Sequence, residues 1–135
     1  MGFTGQMTKY LTRQEIYLLH KAIMKKHGDA GQAGIRDKAV FESALERPKA
    51  HYFGEEQYPD IFDKAAVFLD SLTNNHPFHN GNKRTAYAAT KAFLKLNGNH
   101  LRMPTEEGID FMVGVAQKKY EVPKEIASIL KQYCT

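Results

Sequence analysis

The chain has 135 residues, 42% of them apolar and 25% charged, with one cysteine and a formal net charge of +4. That length suits one domain around a single core, a lone thiol excludes a disulfide framework, and no apolar run approaches a membrane span. The opening MGFTGQMTKY lacks the apolar stretch of a secretory leader, and Gln6 breaks the myristoylation pattern that Gly2 begins, so a cytoplasmic protein is expected.

Residues 1–7 read as a flexible extension, with Met7 an alternative start, and residues 8–134 as the domain. LTRQEIYLLHKAIMKKHG then predicts a helix capped by Thr12, with Glu15 three residues on to complete a capping box and Gly28 as the stop. Ile16, Leu19, His20, Ile23, Met24 and His27 share one face of it. His20 on that apolar face is expected to be a hydrogen-bonded packing residue. GDAGQAG, residues 28–34, predicts a flexible loop. IRDKAVFESALERP predicts a short helix with Val40, Phe41 and Leu45 inward, ending before Pro48. KAHYFGEEQYP predicts a loop or a poor hairpin whose aromatics half-cover the core.

DIFDKAAVFLDSLTNN, residues 60–75, predicts a helix with a stripe of Ile61, Phe62, Ala65, Phe68, Leu69 and Leu72. His76 extends that stripe, and Pro77 ends the helix. The imidazole is therefore expected at the inner edge of the helix C-terminus. NKRTAYAATKAFLKLNG is the next helix, made narrow by Ala86, Ala88, Ala89 and Ala92 and expected to be the central one. Thr105 is read as a cap for TEEGIDFMVGVAQKKY, and Pro123 as the first residue of a last helix. Six or seven helices with almost no strand signal predict a compact, all-α single domain.

Between Asp70 and Glu106 the chain has no carboxylate, while Lys83, Arg84, Lys91, Lys95 and Arg102 fall inside that span with His76, His79 and His100. A solvated basic face accounts for charge alone. The stretch HPFHNGNKRTA points further. A turn centred on Gly81 and feeding a helix leaves backbone N–H groups aimed outward, a ready anion site. Lys83 and Arg84 stand in the first turn of that helix, where cations oppose its dipole. An anion seated between them removes the conflict. Phe78 is positioned to anchor the loop in the core. An imidazole with an ordinary pKa near ~6.5 beside a phosphate pocket suits a general base taking a proton from an incoming hydroxyl. A metal site of His76, His79 and His51 fits poorly, because Pro77 interrupts the helical spacing and no further ligand completes the set. Direct nucleic-acid binding is not expected, since the basic span shows no interleaved aromatics or known module.

With these residues the chain resembles the Fic/Doc family, and its Doc (death-on-curing) toxin branch in particular. The family loop is H-x-F-x-[D/E]-G-N-G-R, with N-K-R in Doc-like members; His76, Phe78, Gly81, Asn82, Lys83 and Arg84 match it. LTRQEIYLLH and GIRDKAVFESALERP keep the Doc-like order. The resemblance implies the helical Fic core, with His76 as catalytic base. Gly81, Asn82 and the following N–H groups would form an anion hole, and Lys83 and Arg84 would hold nucleotide phosphates. It further implies an enzyme that transfers the γ-phosphate of ATP to a Ser/Thr hydroxyl of a translation factor such as elongation factor Tu. AMP transfer to a protein hydroxyl is the alternative within the family, and a catalytically weak binding module the alternative outside it. The motive for the latter is Asn80, which stands where the family has the acidic residue that helps hold Mg²⁺ and would ligate more weakly. No [S/T]-x-x-x-E-[G/N] segment, which restrains many relatives, occurs in the chain. Restraint is then expected in trans, from a Phd-type antitoxin in a bacterial cytoplasm.

Overall fold

The computed structural model describes residues 7–135; the expected extension falls almost wholly outside them. Six α-helices are present among these residues: α1 (Arg13–Lys26), α2 (Lys38–Glu46), α3 (Ile61–Asn74), α4 (Asn82–Leu96), α5 (Thr105–Ala116) and α6 (Lys124–Gln132). Two-residue strands β1 (His51–Tyr52) and β2 (Glu55–Glu56) add a small antiparallel hairpin. This is the all-α fold expected. No helix among the described residues is long and apolar enough to cross a membrane.

The capping signals set the helix starts. Thr12 Oγ1 accepts from Glu15 N–H at 3.1 Å, and Glu15 Oε1 accepts from Thr12 N–H at 2.8 Å, closing the capping box of α1. Asp37 and Asp60 cap α2 and α3 through their carboxylates. Thr105 and Pro123 each lie one residue from the expected position: Pro104 caps α5, and Pro123 precedes the first residue of α6. The 28–34 loop holds a short 3₁₀ turn at Ala30–Gln32.

The core is built around α3, not α4. On α3, Ala65, Ala66, Val67, Leu69 and Leu72 are fully buried, and Lys64, Ser71 and Thr73 nearly so. Small side chains on several faces let α2, α4, α5 and α6 all approach it. Helix α4 presses Ala86, Ala89, Phe93 and Leu94 onto α3 but keeps Lys83, Lys91 and Lys95 in solvent. Its alanines therefore mark one close contact rather than a central position.

The hairpin also departs from expectation. Its turn places Phe53 and Gly54 at positive φ (51° and 81°), which lifts the tip off the core. Tyr52 and Phe53 are 68% and 92% exposed instead of half-buried. The hairpin is tied down by the buried ammonium of Lys64, which donates to Glu56 Oε1 at 2.6 Å and to Pro48 O at 3.3 Å.

Candidate active site at the bend between α3 and α4

Pro77 disfavours helical backbone at the residue before it, so α3 ends at Asn74 with Asn75 as its cap. His76 then takes a left-handed conformation (φ 50°), uncommon for a residue with a Cβ. That reversal carries the imidazole off the stripe of α3 and into solvent. The expected place at the inner edge of the helix is thus corrected: the ring is exposed at the lip of the bend.

The chain next dives inward. Phe78 is 1% exposed, stacked on His20 (centroids 3.9 Å apart, planes 12° apart) and tilted against Phe41 at 5.4 Å. Asn82 closes the loop behind it: its Oδ1 accepts from Phe78 N–H at 3.0 Å and its Nδ2 donates to Phe78 O at 3.1 Å. The Asn82 side chain is therefore a clamp on the loop, and its backbone N–H has no partner among the described residues. The other wall is the 34–37 segment, antiparallel to the bend through Ile35 and Phe78, with His79 N–H donating to Gly34 O at 3.0 Å.

His20 holds these pieces together. It is fully buried; its Nδ1 lies 3.0 Å from Thr85 Oγ1, and its Nε2 accepts from Gly34 N–H at 3.0 Å. An acceptor Nε2 requires the neutral ring. Burial, with a smaller contribution from the charge of Lys21, pushes its pKa down to about 4. The unfolded chain takes up this proton near pH ~6.5, so the stabilisation is complete above that pH and is lost as pH falls toward 4. Each tenfold change in proton affinity is worth ~1.4 kcal/mol, so up to ~3 kcal/mol is expected to disappear over that window. Urea unfolding from pH 7 to 4.5 checks this: His20→Gln should flatten the slope, and parallel curves for the two proteins would contradict it.

At Gly81 the backbone is left-handed (φ 71°), and a Cβ there would collide with the Met24 sulfur. Gly81 caps α4 with no side-chain hydrogen bond, and the first turn holds no acid. Each of the other five helices among the described residues has a capping side chain, an acid in its first turn, or both. Helix α4 has instead Lys83 and Arg84. Its first bond back to the cap is Thr85 N–H to Gly81 O at 2.9 Å, so the N–H groups of Asn82, Lys83 and Arg84, at the positive end of the dipole, have no partner among the described residues. Gly81 does not add a fourth, as its own N–H donates to Asn80 Oδ1 at 2.8 Å. Of the amides that the resemblance implies for an anion hole, that of Gly81 is engaged within the loop, and those of Asn82 and the two residues after it have no partner among the described residues.

Lys83 is exposed, while Arg84 is half-buried and faces Asp29 at 3.4 Å, the long end of an ion pair. Beside them opens a cleft of about 510 Å³ between α1, α4 and α5, with Lys26, Lys83, Arg84 and Lys91 at its rim and Ile23 and Met112 among its apolar lining. His76 does not line it. Asn80 is engaged on both sides, by Gly81 N–H at its oxygen and by Gln32 Oε1 at its nitrogen. A resident Mg²⁺ is poorly served by that donor set, since it seeks carboxylate oxygens and no group of three His, Cys, Asp or Glu among the described residues can hold an ion.

Asp29, Gln32 and Arg36 join this site from a segment that the sequence presents only as loop and helix start. They meet the motif across 40 to 55 residues, and nothing local signals the pairing.

Comparison with known proteins bears on this geometry. A sequence model described as the Fic/DOC family matches residues 10–94, from just before α1 through nearly all of α4. The chain is 39% identical over 95 residues to a protein named Toxin Doc from Mycolicibacterium smegmatis, a match covering 70% of this chain and 69% of that one. It is 28% identical over 125 residues to Protein kinase doc of Escherichia phage P1, covering 93% of this chain and 96% of the other.

Proposed function

The chain belongs to the Fic/DOC family, and from that premise we propose that it is a Doc-type toxin which transfers the γ-phosphate of ATP to a Ser/Thr hydroxyl of a translation factor. The single observation that carries this reading is the start of α4, where three amides without a partner among the described residues stand beside two cations, with no capping side chain and no acid in the first turn. An oligophosphate satisfies all five at once. The cationic cleft beside them has room for the rest of a nucleotide. The name of the phage relative, a protein kinase, agrees with phosphoryl transfer.

On this reading His76 accepts the proton of the target hydroxyl as its oxygen bonds to the γ-phosphorus. The bond from that phosphorus to the bridging oxygen breaks, and ADP leaves with the electron pair. Asn82, Lys83 and Arg84 balance charge through their amides and two side chains, with Arg84 exchanging Asp29 for phosphate. Mg²⁺ would arrive with the triphosphate, since Asn80 supplies no carboxylate. A Phd-type antitoxin in the same bacterial cytoplasm would restrain the enzyme.

The test is incubation of the protein and a translation factor such as elongation factor Tu with ATP labelled at either the α or the γ position. Label from the γ position alone on the factor is expected. Label from the α position would replace the proposal with AMP transfer. No label from either, with His76→Ala and wild type equally tolerated by cells, would leave a binding module.

A further inference from the structure

We infer that Arg36 is a positioning residue for His76, a role that rests on the reading of His76 as the base. Three consecutive carbonyls at the bend are held by this one residue. Arg36 Nε donates to His76 O at 2.6 Å, Nη2 to Asn75 O at 3.1 Å, and the Arg36 backbone N–H to Pro77 O at 2.7 Å. Asp37 N–H adds a longer bond to Pro77 O at 3.3 Å.

Each of these contacts meets a specific physical need. The end of α3 leaves carbonyls without helical partners and carries the negative end of the dipole, where a guanidinium is favoured. The fork of arginine suits two adjacent acceptors, which a lysine ammonium on its flexible stem cannot match. His76 sits in a left-handed conformation that costs a β-carbon residue on the order of 1 kcal/mol or more. Something outside the residue must hold it there. Its ring is exposed, and among the described residues it is bonded only through its backbone carbonyl. Arg36 fixes the backbone at residue 76, and with it the direction of the Cα–Cβ bond from which the ring projects. The 34–37 segment is anchored in turn through Gly34 to the buried His20, so the base is aligned from the core without any contact to the ring.

Arg36→Ala and Arg36→Lys separate this role from a general loss of stability. In carbon and proton NMR of the nucleotide-free proteins, the His76 Cα and ring signals are expected to move or broaden in Arg36→Ala, while those of α5 stay in place. With ATP and target, kcat should fall at least tenfold, because small misplacements of a catalytic group are costly. KM for ATP should change less than twofold, and Arg36→Lys should fall between. His76 signals and kcat equal to wild type in folded Arg36→Ala would overturn the inference. Should Arg36→Ala not fold, the same two readouts in Arg36→Lys decide it: wild-type values overturn the inference, displaced signals support it. A wild type that transfers nothing defeats the catalytic reading instead, and the His76 signals still decide whether Arg36 aligns that residue.

Discussion

His76→Ala is expected to reduce transfer by ~10²–10⁴, the usual worth of a positioned general base. The loss should appear in kcat, with ATP affinity unchanged, because the imidazole stands at the lip of the bend and outside the cationic cleft. A side chain that meets only the target hydroxyl acts in the transition state and adds little to nucleotide binding. The fold should hold as well: the ring is exposed, and alanine leaves the bonds from Arg36 to the main chain in place. Single-turnover kinetics with a translation factor, beside nucleotide titration of both proteins, check the two halves. A fall in ATP affinity equal to the fall in rate would move His76 from proton transfer to binding.

Phe78→Ala is expected to have the largest effect on stability, ~3–5 kcal/mol, as for other fully buried phenylalanines. The ring is stacked on His20 and packed against Phe41, so its removal opens a cavity where α1, α2 and the bend meet. Asn82 is bonded to both backbone groups of Phe78, and a loosened residue 78 would free the start of α4 with it. Stability and nucleotide binding should therefore fall together. Urea unfolding with and without ATP measures both. A loss below about 1 kcal/mol would show that the ring is not the plug that fixes the loop.

The parts legible in the sequence are those written in local chemistry. Thr12 and Glu15 announce the start of α1, Pro77 the end of α3, and Gly81 the turn before α4. His20, read as a bonded packing residue, is found so, with partners at both ring nitrogens. The parts that stayed hidden depend on contacts distant in the chain. Nothing near Asp29 or Arg36 indicates that one will face Arg84 and the other the carbonyls before Pro77. The alanines of α4 suggest a central helix, whereas α3 achieves burial on several faces with a mixture that includes Lys64, Ser71 and Thr73. Helical periodicity alone puts His76 on the buried stripe of α3, but Pro77 disfavours helical backbone there and the chain reverses at His76. The left-handed turn that redirects the ring has no signature in residue type, since it depends on the far side of the loop.

The proposed function requires the start of α4 to seat a triphosphate. Titrating ATP into isotope-labelled protein and following the backbone amides tests it most directly. The amide signals of Asn82, Lys83 and Arg84 should shift most and saturate together, ahead of that of Gly81, whose N–H is already engaged. ATP that binds while those three signals stay where they were would contradict the account.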